Sequence, residues 1–318
     1  MRLAYNTYPV LLPHFGYHGS DVYFGSTRLA SVAKREGWFL LRCDGTRTLA
    51  EAADGGGISA DFLAAVWRWF AWWHEPVATP MITQSAAAIE RLVLSHVPEA
   101  PWFAMGGSLL ASPDVSTLLV TCFETSTGAF ASGYRSSTEL AMAISDEARM
   151  AARLAGVQYD AYGIQETRLS ASPFIEQLLR NRIGEVIARR KPRTVYVPAA
   201  VGPSRAARAL HDAVMSLVGE GTITSSIYTY PDLPATYGER YVDESYARYE
   251  SSFLAPEERY QDVTASASRK DMLLDVFLCR ATGAQRRAWR QSAALHAARV
   301  QGAAAVERFW EMNFVELG

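Results

Sequence analysis

The residues best suited to chemistry lie in the segment that follows an apolar run at 91–95. His96 and Glu99 stand three residues apart there, and two aromatic residues follow closely. A carboxylate in a cleft with apolar walls is expected to have a raised pKa and can then transfer protons near neutral pH. We therefore predict Glu99 as a catalytic residue and His96 as a substrate-binding residue. The structural alternative is that Glu99 caps a helix opened by the Gly106-Gly107 pair, or accepts hydrogen bonds from loop amides.

Two further segments carry side chains suited to holding a small polar or anionic ligand. The loop at 132–137 contains Tyr134 and Arg135. A predicted helix begins at Ser204 and continues with Arg205, and the free amides at such a helix start favour an anion or a carbonyl oxygen. We predict all four residues as substrate-binding. For the two arginines, the alternative is a solvated surface position.

Short apolar strands and amphipathic helices alternate between these segments. We predict strands at 91–95, 116–123, 159–162, 194–198 and 226–230, and helices at 138–156, 173–190 and 204–219. This alternation is typical of a Rossmann-like, mostly parallel α/β sheet with helices on both faces. Open sheets of this kind bind ligands at the carboxyl ends of their strands, where the candidate residues fall. The predicted α/β domain spans 85–318, and its tail from residue 257 is predicted to be largely helical.

Residues 1–80 are predicted to form a separate, small α+β module. We predict strands at 8–12 and 22–24, a helical turn at 48–53, and helices at 30–41 and 59–74. The last helix has Ser59 as its N-cap, and its aromatic residues recur at helical spacing. Aromatic surface of this size marks an interface with the main domain or with a second subunit, so a homo-oligomer is among the expected states.

The composition is that of an ordinary soluble protein and excludes several classes of function. The chain has 318 residues, 49% of them hydrophobic and 20% charged, with a net charge of −2. Such a balance provides no basic field for nucleic acid or for an anionic membrane. No run reaches the length of about 18 apolar residues that a membrane span needs. The 3 cysteines lack metal-binding or disulfide-rich spacing, which favours a cytoplasmic location.

Four segments, in the right order, resemble the motifs of the PIG-L/LmbE superfamily of zinc-dependent N-deacetylases. They cover roughly residues 88–312 and comprise the apolar run and Gly-Gly loop at 92–107, the helix at 138–157, the loop at 195–208 and the segment Tyr228-Thr229-Tyr230-Pro231-Asp232-Leu233-Pro234. Relatives have Val-Pro-Ala-Gly-Val-Gly-Gly-His-x-Asp-His-Arg in the third segment. The resemblance implies the same Rossmann-like fold and a cleft at the same sheet edge.

The resemblance also implies that the zinc site of the family has changed. The three family ligands fall on Val97, Ala100 and Ala207, and the general base falls on Glu99. Aliphatic side chains have no lone pair for a cation, so we predict no metal and no other cofactor. The alternative is a rebuilt metal site, in which His96, Glu99 and His211 take over as ligands and the protein remains an active deacetylase.

The segment 40–51 resembles the centre of a PqqD-like winged-helix module, in which a helix ends in an Asp-Gly turn and a Thr opens the next helix. Such modules hold peptides by strand addition, which implies docking of a peptide or a partner enzyme. The favoured function is a metal-free protein that has lost deacetylation and binds or transforms a small polar metabolite, as in a bacterial biosynthetic pathway. The sequence leaves open whether the protein is an enzyme or a non-catalytic docking partner.

Overall fold

The computed structural model describes residues 5–53, 57–77, 88–124, 134–166, 169, 173–201, 204–232, 254–278 and 283–314. The predicted sites at Ser132 and Gly133, Gly202 and Pro203, and Leu233 and Pro234 lie outside these residues. The chain divides into two compact units, the first comprising Met1–Met81, Thr127–Gly156 and Asp271–Arg280 and the second the remainder. Among the described residues, no helix has the length and apolar character needed to cross a membrane.

The first unit contains two small antiparallel sheets and several helices. Strand β1 (Tyr8–Leu11) pairs with β5 (Phe70–Trp73), and β2 (Phe15–His18), β3 (Asp21–Phe24) and β4 (Thr27–Ser31) form a meander. The helices of this unit are α1 (Lys34–Arg42), α2 (Leu49–Ala53), α3 (Ala60–Val66) and α5 (Ser137–Ala155). Its core combines residues of these strands and helices: Val22, Phe39, Leu40, Cys43, Leu49, Ala52, Val66 and Phe70.

Two predicted helices of the N-terminal module are shorter than expected. The helix predicted at 30–41 begins only at Lys34, because residues 27–31 complete the meander. The helix predicted at 59–74 ends at Val66, followed by a short 3-10 turn and strand β5. The aromatic residues at 69–73 fit a helical period, but aromatic residues also favour strands, and pairing with β1 decides between the two.

The second unit contains a seven-stranded sheet in the order β11-β12-β10-β9-β6-β7-β8. Its strands are β6 (Arg91–Ser95), β7 (Thr117–Glu124), β8 (Gln158–Gln165), β9 (Thr194–Pro198), β10 (Ser226–Tyr230), β11 (Leu254–Asp262) and β12 (Val306–Phe314). The five strands from β10 to β8 are mutually parallel, whereas β12 runs antiparallel to both β10 and β11. The predicted class, a mostly parallel α/β sheet preceded by a small α+β module, is confirmed.

The helices of the second unit include α4 (Ala100–Ala111), α6 (Pro173–Arg190), α7 (Arg205–Gly219) and a helix at Gly283–Ala297. The helix Ala267–Leu274 begins in the second unit, whose segment ends at Lys270. Residues of α6 and α7 share one core with the strands, including Leu92, Val120, Leu179, Ile183, Val195, Leu210 and Val214. The tail is less helical than predicted, because β11 and β12 pair over nine residues each. Strand β11 lies at the sheet edge, where charged residues are tolerated. Because of these charged residues, the segment lacks the apolar pattern by which a strand is predicted from sequence.

Candidate functional site

The carboxyl ends of three parallel strands bring the candidate residues together. Strand β9 lies between β6 and β10, so the loops after all three strands meet at the same edge of the sheet. His96 directly follows β6, and Asp232 follows β10. Tyr230 spans the gap between the outer two strands, because its hydroxyl donates to the carbonyl of Leu94 at 2.9 Å. The edge is therefore held together by side chains as well as by the backbone ladder.

Two acidic side chains and a histidine form a buried cluster at this edge, which we call the Glu99 cluster: His96, Glu99 and Asp232. Their exposed fractions are 4%, 4% and 6%, respectively. His96 Nε2 lies 3.5 Å from Asp232 Oδ1. Burial and, to a smaller extent, the negative charge of Glu99 together raise the pKa of Asp232 to about 7. At neutral pH a substantial fraction of Asp232 therefore carries a proton.

A protonated carboxyl beside a second carboxyl is the arrangement that proton transfer requires. Two acidic groups at short range do not ionise together easily, so one holds a proton that the other lacks. Asp232 has the perturbed pKa of a group that can donate a proton near neutral pH. Burial also raises the pKa of Tyr230 well above its ordinary value, so this residue keeps its proton and its hydrogen bond to Leu94.

Glu99 is the residue that immediately precedes α4, and the backbone there sets the direction of its side chain. Its carbonyl accepts from the amides of Trp102 and Phe103 at 3.1 and 3.2 Å. Upstream, the Ser95 hydroxyl donates to the carbonyl of Val97 at 2.6 Å and closes the loop. The Glu99 side chain makes no capping hydrogen bond to α4, so the capping alternative fails for this helix.

His211 and Ser204 are engaged by the backbone of their own loop and helix. His211 Nδ1 lies 3.0 Å from the carbonyl of Pro198, at the end of β9. Ser204 is the N-cap of α7, and its hydroxyl accepts from the amide of Ala207 at 3.1 Å. In the loop between Pro198 and Ser204, Ala200 adopts a left-handed conformation with a φ of 55°. The PIG-L/LmbE motif has glycine at this position. This strained residue lies at the same sheet edge as the Glu99 cluster.

The remaining predicted contacts lie elsewhere. Arg205 and Arg208 line a surface depression of about 260 Å³ between α6 and α7, together with Glu176 and Asp212. Tyr134 and Arg135 belong to the first unit, where the Tyr134 hydroxyl bonds His14 Nδ1. The side chain of Arg135 is exposed, and its backbone amide donates to Glu139 Oε2 at 2.6 Å.

A second buried charge cluster supports α4 and was not predicted. The Gly106-Gly107 pair opens the second half of α4, because Met105 has non-helical angles (φ −135°, ψ 15°) and divides the helix there. Glu307 accepts from the amides of Gly107 and Ser108 at 2.8 Å each, thereby capping the second half. Lys270 Nζ donates to the carbonyl of Phe103 at 2.6 Å and to Glu307 Oε1 at 2.7 Å.

We call this second cluster the Lys270–Glu307 pair. Position 107, which packs against it, has room only for glycine. A Cβ there would lie 2.8 Å from Val263 Cβ and 2.9 Å from Glu307 Oε1. Lys270 is fully buried and also lies 3.8 Å above the ring of Trp289. The sequence signal was the glycine pair, which marks both the start of the second half of α4 and the close packing around it.

The residues that stand at the zinc-ligand positions of the PIG-L/LmbE motifs cannot coordinate a zinc ion. Val97, Ala100 and Ala207 offer no donor atom, and the last two are buried at 2% and 1% exposure. Across the part of the chain that the structure describes, no group of three His, Cys, Asp or Glu side chains is arranged to hold a metal ion. The polar groups that the described part of the site offers for chemistry are the carboxyl groups of Glu99 and Asp232 and the imidazole of His96.

No protein-family model matches the chain, and no curated protein sequence matches it either. Solved structures do share its fold. The deacetylase of the teicoplanin biosynthesis pathway is 14% identical, with a TM-score of 0.56, covering 72% of this chain and 100% of its own. N,N'-diacetylchitobiose deacetylase from Pyrococcus horikoshii is 17% identical, with a TM-score of 0.55 and coverage of 76% and 90%.

A third structure with this fold is a hydratase. The 4-carboxy-2-hydroxymuconate hydratase of Pseudomonas putida KT2440 is 15% identical, with a TM-score of 0.50, covering 73% of this chain and 98% of its own. At such identities the likeness establishes the fold. The fold implied by the resemblance to the PIG-L/LmbE superfamily is thus confirmed.

Proposed function

We propose that this protein is a metal-independent member of the PIG-L/LmbE superfamily that binds a small polar metabolite at the carboxyl edge of its sheet and transfers protons through the Glu99 cluster. The single observation that carries the proposal is the pair of buried carboxyls, in which burial and the charge of Glu99 raise the pKa of Asp232 to about 7. Burying two acids side by side costs stability, and perturbed groups of this kind concentrate at functional sites.

The roles follow from the protonation states of the two acids. Glu99, when ionised, takes a proton from the bound metabolite, and protonated Asp232 returns one to a second atom of that metabolite. His96 Nε2 lies 3.5 Å from Asp232 Oδ1 and directs that carboxyl toward the ligand. Both acids are buried, so a proton moves between the ligand and the cluster with little competition from solvent. No step of this scheme requires an activated metal-bound water.

The names of the structural neighbours are compatible with more than one type of reaction. Two are deacetylases and one is a hydratase, so one fold is associated with at least two reaction types. Addition or removal of water across a double bond needs a proton acceptor and a proton donor, which the two carboxyls provide. We therefore favour proton transfer at a carbon or oxygen of a small metabolite over amide hydrolysis, with Ser204 as a contact near the helix start.

The metal content of the purified protein tests this proposal. The full chain, purified without chelator, should contain far less than one zinc per chain by elemental analysis, because positions 97, 100 and 207 lack donors. The matched control is the triple variant Val97→His, Ala100→Asp, Ala207→His, which should gain zinc affinity if the loops have the implied register.

Stoichiometric zinc in the wild-type protein, lost on replacement of His96 or Glu99, would contradict metal independence and favour a deacetylase with a rebuilt site. A folded triple variant that binds no more zinc than the wild type would instead show that the register assumed for the two loops is wrong. Peptide or partner-enzyme docking through the N-terminal module predicts neither result and remains a separate hypothesis.

A further inference from the structure

Three side chains of the first unit form a chain of polar contacts, one hydrogen bond and one ion pair, that the proposed function does not use. His14 Nδ1 bonds the hydroxyl of Tyr134, and His14 Nε2 lies 2.7 Å from Glu147 Oε1. His14 is 3% exposed and Glu147 is fully buried, whereas Tyr134 is half-buried. The chain therefore runs from a buried carboxylate, through an imidazole, to a phenol near the surface of the unit.

Three separate parts of the first unit supply these residues. His14 immediately precedes β2, Glu147 lies in the middle of α5, and Tyr134 precedes α5. Phe24 packs beside the chain, with ring centroids 5.7 Å from His14 and 6.2 Å from Tyr134. An apolar wall of this kind strengthens the interaction between His14 and Glu147, because it lowers the local dielectric constant.

The direction of proton transfer along this chain follows from which atoms of Glu147 and His14 can accept a proton. An ionised carboxylate only accepts, so the proton between Glu147 and His14 belongs to Nε2. In the neutral imidazole, Nδ1 then has a free lone pair that faces the Tyr134 hydroxyl and accepts its proton. The same logic operates in catalytic triads, where a carboxylate fixes the tautomer of a histidine that activates a hydroxyl. Here the activated group is a phenol.

We propose that Tyr134 is the reactive group of a second site, which exchanges protons with a small ligand that carries a hydroxyl group. The ligand's O–H proton moves to the Tyr134 oxygen, while the proton of Tyr134 moves to His14 Nδ1. The resulting imidazolium is stabilised by the carboxylate of Glu147, and the reverse transfers restore the starting state. Protons are conserved throughout, and no bond to carbon or change of oxidation state is involved. His14 and Glu147 are positioning residues, because only Tyr134 contacts the ligand.

An aryl sulfonyl fluoride tests this activation without knowledge of the natural ligand. The Tyr134 oxygen attacks sulfur, an O–S bond forms, fluoride leaves with the electrons of the S–F bond, and the phenol proton passes to His14. Peptide mass spectrometry of the full chain gives the labelling rate of each tyrosine. Tyr134 should react at least about tenfold faster than Tyr5, because general-base assistance contributes roughly that much or more. Tyr5 is 71% exposed, so accessibility alone predicts the opposite order.

Variants separate activation from a merely structural contact. Glu147→Gln preserves shape and should slow labelling of Tyr134 about tenfold, whereas His18→Asn, at an exposed histidine of the same unit, should leave the rate unchanged. A rate for Tyr134 no greater than that for Tyr5 would overturn the proposal, as would an unchanged rate in a folded Glu147→Gln variant. If that variant does not fold, the wild-type comparison of Tyr134 with Tyr5 still decides.

Discussion

The second unit buries two clusters of charged side chains, and they differ in how their charges are compensated. In the Lys270–Glu307 pair, opposite charges meet at 2.7 Å and the remaining atoms bond backbone groups freed by the break in α4. In the Glu99 cluster, two acids are buried together, and burial, followed by the charge of Glu99, raises the pKa of Asp232 to about 7. The Lys270–Glu307 pair satisfies backbone groups at the break in α4, whereas the Glu99 cluster holds two acids where their charged forms are disfavoured.

This difference separates a structural use of buried charge from a functional one. A compensated pair fixes the geometry of its neighbours, here the two halves of the helix that begins after Glu99. A buried acid with a raised pKa lowers stability at pH values above that pKa, and such groups are found where their protonation states are used. The comparison therefore predicts that mutations in the two clusters change stability in opposite directions.

The largest effect is expected from Lys270→Met, which removes the cation and leaves Glu307 buried beside the backbone. The free energy of unfolding should fall by about 3 to 5 kcal/mol, as is usual when one partner of a buried pair is removed. Denaturant unfolding of the full chain measures this change. The double variant Lys270→Met, Glu307→Gln should recover part of the loss, because the uncompensated charge is then absent. A loss below about 1 kcal/mol for the single variant would mean that the pair does not stabilise α4.

An opposite, pH-dependent effect is expected from Asp232→Asn. The folded-state pKa of Asp232, about 7, lies above its ordinary value of 3.8, so the folded state binds more protons between these values. Wild-type stability should therefore fall as pH rises from about 4 to about 7, and that decline should be absent in the variant. Relative to the wild type, Asp232→Asn should gain roughly 2 to 4 kcal/mol between pH 4 and pH 8.

The control for this prediction is Asp114→Asn, which changes an exposed aspartate after α4 and should follow the wild-type pH profile. A constant difference in stability between Asp232→Asn and the wild type across this pH range would show that the pKa of Asp232 is not raised in the folded state. The Glu99 cluster would then resemble the Lys270–Glu307 pair.

A smaller effect is expected at Ala200, which carries backbone strain beside the Glu99 cluster. Its left-handed φ of 55° costs an L-residue about 1 to 2 kcal/mol, and glycine avoids that cost. Ala200→Gly should therefore be about 1 kcal/mol more stable in thermal unfolding than the control Ala199→Gly, which loses a similarly buried methyl group without relief of strain. If the two variants were equally stable, the left-handed conformation of Ala200 would not cost measurable stability.

The parallel half of the sheet was predictable from the sequence, because strands β6, β9 and β10 are short apolar runs with clear ends. The predicted bounds 91–95, 194–198 and 226–230 agree with the structure. The place of Glu99 at the edge of the sheet follows from those strands. Asp232 could have been chosen by the same rule, since it follows β10, but its partner Glu99 lies 133 residues away in the sequence.

The parts that could not be predicted depend on long-range pairing. Lys270 and Glu307 each belong to a segment with no distinguishing pattern, and only the break in α4 gives them a role. Strand β5 has the periodicity of a helix and is determined by its partner β1. The His14–Glu147 contact likewise joins two separate sequence segments of the first unit. Local propensity carries no information about such partners.

The protonation of Asp232 tests the account most directly. Carbon-13 labelling of aspartate carboxyls allows each group to be followed by NMR as the pH is changed, in the wild type, Asp232→Asn and Glu99→Gln. The account predicts one aspartate that titrates near pH 7 in the wild type, its absence in Asp232→Asn, and a shift to lower pH in Glu99→Gln, where the neighbouring charge is lost. If no aspartate titrates above about pH 5, or if its titration is unchanged in Glu99→Gln, the proposed proton-transferring pair does not exist.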